Sequence, residues 1–83
     1  MSRTNLTPPA KNVIEEFESA CKELKLKAHR AEEDEHIRWH LTVSREKGTL
    51  EANWSPTNHT FWLEVKRPAD WMPPVIEALK KKF

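Results

Sequence analysis

The sequence holds one cysteine, one glycine and no long apolar run. Each shortage closes off a class of protein. One cysteine excludes a disulfide framework, and the Cys/His spacings of a structural zinc site are absent. One glycine excludes the glycine-rich loops that cradle phosphates. Apolar stretches fall far short of the roughly 18 residues of a membrane span, and no charged start with an apolar segment marks a secretion signal. An excess of one charge is missing too. Fourteen basic and thirteen acidic side chains leave a net charge of +1, so bulk attraction to nucleic acid or lipid is absent. With 83 residues there is room for one small domain with a thin core. The expectation is a soluble, cytoplasmic, non-enzymatic domain with no cofactor, no metal and no membrane partner.

Hydrophobic spacing supplies the organisation. Residues 1–6 are polar and without period, and read as a disordered N-terminus ahead of a single α+β domain over 7–83. Thr7 is a candidate N-cap, with Pro8 and Pro9 in the first helical turn. Ala10, Val13, Ile14, Phe17, Ala20, Cys21 and Leu24 then share an arc of about 120°, the stripe of a core-facing helix ending near Lys25. Residues 27–31 read as either a short strand or an irregular link, and Glu32 to Glu35 as a turn or loop.

From His36 the period changes to two. Ile37, Trp39, Leu41 and Val43 alternate with polar residues, as do Leu50, Ala52 and Trp54, and again Phe61, Leu63 and Val65. Gly48 and the Pro56-Thr57-Asn58 turn separate these three strands. A last helix starts near Met72 with Pro73 and Pro74 in its first turn, and Lys80, Lys81 and Lys82 end it. The expected fold is an α+β two-layer sandwich: helix, three-stranded (four with residues 27–31) antiparallel meander, helix, with both helices on one sheet face.

Few residues point to chemistry. His36 and His40 lie four apart on one strand, roughly 13 Å between Cα atoms, too far to share a metal. Cys21 sits mid-stripe, so it is expected to be buried and inert. The acidic run at Glu32 to Glu35 lacks the spaced ligands and glycine of a calcium loop. Trp62 is the informative residue. Trp39 and Trp54 share the phase of the core face, but Trp62 has the opposite phase and points outward with Arg38, His40, Asn53, Glu51 and Glu64. An outward indole serves as an anchor for a protein partner or a platform for a base, or else simply covers the pleat beside an Arg38 or Lys66 stem. Cations gather as well. Lys22, Lys25, Lys27 and Arg30 surround the end of the first helix, and Lys80, Lys81 and Lys82 close the second. These form one basic patch if the helix ends are neighbours, although dipole compensation and solubility account for the same residues.

The order helix, three-stranded antiparallel sheet, helix resembles the double-stranded-RNA-binding domain and the small HicA-type toxins that share its topology. RNA-binding members carry a lysine-rich start to the last helix. That start here reads Ala69-Asp70-Trp71-Met72-Pro73-Pro74, without lysine. Toxin-like members carry a strand histidine preceded by small residues, whereas Asp34-Glu35 precede His36-Ile37-Arg38-Trp39-His40 here. No catalytic role is carried over. The expected function is a small protein-interaction or regulatory adaptor domain, binding another protein or a second copy of itself through the outer sheet face around Trp62 or through an exposed strand edge. The alternative is a weak nucleic-acid binder using the same face and the basic helix ends.

Overall fold

The computed structural model describes residues 3–83. Its elements run β1 (Arg3–Leu6), α1 (Val13–Glu23), β2 (Lys27–Glu33), β3 (His36–Thr42), β4 (Thr49–Ser55), β5 (Thr60–Arg67) and α2 (Met72–Lys82). The five strands form one antiparallel sheet in the order β1-β5-β4-β3-β2. The α+β class agrees with the sequence reading, but the strand count corrects it: the sheet has five strands, not a meander of three or four.

Both added strands lie at sheet edges, where the alternation that reveals half-buried strands is weak. In β2 every residue except Ala28 is exposed, so no apolar series marks it. In β1, read from sequence as disordered, only Leu6 is buried, opposite Phe61 of β5. Backbone pairing, not side-chain pattern, makes these strands. The acidic run divides accordingly. Glu32 and Glu33 end β2, and Asp34 and Glu35 form the turn into β3.

The chain leaves β1 at one edge, and the segment containing α1 carries it across the sheet to β2 at the other. It then returns strand by strand to β5, beside β1. The crossing delays the first helix. Pro8 and Pro9 precede it instead of opening it, and Asn12 takes a left-handed φ of 55° as its N-cap. The helix ends in a Schellman motif: Leu26 N–H donates to Cys21 O (2.9 Å) and Lys25 N–H to Lys22 O (3.1 Å). Lys25, at φ 61°, holds the left-handed position that glycine usually takes.

Both helices cover the same sheet face. Phe17 of α1 is fully buried and meets Trp39 of β3 (ring centroids 4.5 Å) and Phe61 of β5 (5.4 Å). Phe83, after α2, packs against Phe17 at 6.0 Å and Phe61 at 5.5 Å. Leu41, Leu50, Ala52, Leu63, Met72 and Leu79 are buried in the same core. Glu18 fastens the helix to the sheet, because Trp39 Nε1 donates to its Oε2 (2.9 Å) and Arg30 pairs with the same oxygen (3.3 Å). Cys21 is buried in this layer. Burial first, then the neighbouring Glu18 carboxylate, pushes its thiol pKa up to about 12, so the thiolate nucleophile is absent at neutral pH. No helix among the described residues is long and apolar enough to cross a membrane.

Two positions with left-handed backbone should respond in opposite directions to substitution. Gly48 has φ 106°, and a Cβ there would stand 2.5 Å from Ala69 Cβ and 3.0 Å from Arg67 O. Gly48→Ala is expected to destabilise by more than about 1 kcal/mol, while Lys25→Gly relieves strain and stabilises by about 0.5–1 kcal/mol. Urea unfolding of the two variants checks both signs. A destabilised Lys25→Gly would refute the strain at that cap.

Candidate functional site

The face away from the helices is a grid set by strand register. One row reads Asn5, Trp62, Asn53, Arg38 and Ala31; the next reads Arg3, Glu64, Glu51, His40 and His29. The structure therefore gathers Trp62, Asn53, Arg38 and His40 on one face, as their phase requires. Trp62 stands directly beside Asn53, with Arg38 on the far side of Asn53.

This face is less open than alternation implies. Glu51, Asn53 and Ser55 of the central strand β4 are buried, although all three point away from the core. Longer side chains from the flanking strands cover them. Around the Glu51 carboxylate stand Arg38 Nε (3.8 Å), His40 Nε2 (3.4 Å) and Lys66 Nζ (3.8 Å). Asn53 Nδ2 donates to Glu51 Oε1 (3.2 Å). Its Oδ1 lies 3.0 Å from His36 Nε2, a contact that requires the proton on that nitrogen. Arg38 also reaches Glu33 through Nη1 (3.4 Å), but its buried Nε has no hydrogen-bond partner.

Trp62 is half-buried on β5, beside the central strand of this layer. Its Nε1 donates to Glu64 Oε1 (2.8 Å), the Arg3 guanidinium lies 4.5 Å over its ring, and the His36 ring is 5.7 Å away. Glu64 and Glu51 are direct cross-strand neighbours, an unfavourable like-charge pair that Lys66 bridges by reaching both. The Trp62 hydrogen bond is the main cause holding the Glu64 carboxyl below the usual range. Burial opposes it, and Lys66 and Arg3 add to it.

Of the cation candidates, Arg30 and Lys27 lie on opposite faces of the sheet. Arg30 turns to the helix side and pairs with Glu18, whereas Lys27 belongs to the outer phase of β2. The helix ends do meet: Lys82 of α2 pairs with Glu23 of α1 at 2.6 Å. Lys80 pairs with Glu77 (3.4 Å), while Lys22, Lys25 and Lys81 are exposed. No group of three or more His, Cys, Asp or Glu among the described residues is arranged to hold a metal ion.

The sequence phase already sets Glu51 and Glu64 outward with Trp62 and brings the Lys66 stem beside it; the members it missed are His36, which alternation also places outward, and Arg3. Arg3 joins only because β1 pairs with β5.

The Trp62–Glu64 bond has a measurable consequence. A carboxyl with a depressed folded pKa adds stability above the ordinary glutamate range, near pH 4.3, and that contribution fades as pH falls through the depressed value. Trp62→Phe removes the donor and keeps an aromatic ring. It is expected to raise the Glu64 pKa toward the ordinary range, read by carboxyl-carbon NMR titration. An unchanged Glu64 pKa would show that Lys66 and Arg3, not the indole, set it.

Comparison with known proteins adds no relative: no protein family, characterised protein or solved structure matches this chain.

Proposed function

We propose that this chain is a non-enzymatic protein-interaction module whose outer sheet face, centred on Trp62, receives a protein partner. The observation that carries the reading is the setting of Trp62. A large amphipathic side chain stands half-buried on β5, beside the central strand, held by Glu64 and Arg3. An indole fixed in this way loses little conformational freedom when a partner covers it, which is what a binding anchor needs.

Charge favours a protein over a nucleic acid. On this face Glu33, Glu51 and Glu64 stand against Arg38, Lys66 and Arg3, so the cations are largely neutralised within the layer. Phosphate binding draws its affinity from cations that are free to replace counterions. The exposed lysines at the helix ends, Lys22, Lys25 and Lys80 to Lys82, do not join the Trp62 row.

The test uses tagged wild type and Trp62→Ala as baits in source lysate, with and without nuclease, across a salt series. Wild type is expected to retain a protein partner after nuclease treatment and with a shallow salt dependence. Trp62→Ala should melt within a few degrees of wild type, by about 1 kcal/mol or less, and lose that partner. Loss of binding on nuclease treatment, or a steep salt slope, would turn the reading to nucleic acid. Retention of the partner by folded Trp62→Ala would remove the indole from the interface.

A further inference from the structure

The strand β2 is an open edge of the sheet. It has a neighbour on one side only, it is seven residues long, and His29 to Glu33 are all exposed. Such an edge offers a row of unpaired backbone N–H and C=O groups to another strand. Proteins usually guard a long edge with charge. Here the guard is split by sign: Lys27, His29 and Arg30 fill the first half, and Glu32, Glu33, Asp34 and Glu35 the second.

We propose that β2 pairs antiparallel with β2 of a second copy of this chain, with Ala31 facing Ala31 on a two-fold axis normal to the sheet. In that register Arg30 opposes Glu32, His29 opposes Glu33, and Lys27 reaches Glu35 at the turn. The two-fold axis repeats each pair. Opposed residues keep the same sheet face, so both copies carry their helices on the same side of a continuous ten-stranded sheet. The small Ala31 side chains leave the axis uncrowded.

Other arrangements lose this match. Sliding the register by one step toward Arg30 puts Arg30 opposite Arg30, and sliding it the other way puts Glu32 opposite Glu32. Parallel pairing in register sets every charge against its own kind. Like charges directly opposed are destabilising, and of these arrangements only the Ala31 register opposes no like charges, which favours it. The groups needed are available. Lys27, His29, Glu32 and Glu35 have no ion-pair partner among the described residues, Arg30 makes one contact to Glu18, and Glu33 one to Arg38.

The test is sedimentation of the full chain at low salt. Wild type is expected to show a concentration-dependent dimer that weakens as salt rises. Arg30→Glu and Glu32→Arg should each raise the dimer Kd about tenfold or more, because each turns two symmetric attractions into repulsions. The double variant restores opposite charges across the edge and should return the Kd to within about threefold of wild type. The singles move the net charge from +1 in opposite directions (+1 − 2 = −1 and +1 + 2 = +3), so bulk charge does not explain loss in both. Glu32 has no internal ion pair, so Glu32→Arg tests the edge even if Arg30→Glu disturbs folding through Glu18. Trp62→Ala should leave this dimer intact, which separates it from the outer-face reading. A monomeric wild type at all concentrations, no recovery in the double variant, or dissociation by Trp62→Ala would each overturn the edge pairing.

Discussion

The contact on which the rest of the structure depends is Phe17 of α1 against Trp39 of β3. α1 carries the chain from one edge of the sheet to the other, so its seat decides which sheet face is covered. Phe17 is fully buried and also meets Phe61 and Phe83, which ties β5 and the end of α2 to the same point. The next residue, Glu18, accepts the Trp39 N–H and pairs with Arg30. One helical turn therefore supplies both an apolar plug and a directional clamp. Once that face is chosen, period-two geometry sends Arg38, Asn53 and Trp62 to the other side.

That other side is a polar layer with its own internal order. Burying Glu51 and Asn53 is costly unless their atoms are matched. Arg38, His40 and Lys66 surround the Glu51 carboxylate, while Asn53 is held between Glu51 and His36. Long side chains from β3 and β5 roof the central strand, and Trp62 is the aromatic part of that roof. A sheet in a small domain thus avoids a bare pleat without a second helical layer.

How much of this was readable depends on burial. The strands with one face in the core, β3 to β5, declare themselves by alternation, and the phase of Trp62 follows from Phe61 and Leu63. Edge strands do not. Lys27 to Glu33 has no face to bury, and Arg3 to Leu6 buries one residue, so the sheet looks narrower from sequence than it is. The prolines at 8 and 9 are good helix starters by composition, yet the need to cross the sheet moves the helix start past Asn12. The outer-face positions of Arg38, His40, Asn53 and Trp62 are legible because alternation determines them. The burial of Glu51 is not, because it depends on which long side chains reach across three strands.

If Phe17 holds the two layers together, its truncation is the most direct test. Phe17→Ala removes the ring that joins α1, β3, β5 and the chain's last residue, and leaves Glu18 in place. Urea unfolding followed by tryptophan fluorescence and far-UV circular dichroism is expected to show a loss of about 3–5 kcal/mol, enough to populate the unfolded state of so small a domain at room temperature. An unfolding midpoint close to that of wild type would contradict the account and show that α1 is seated on the sheet by something else.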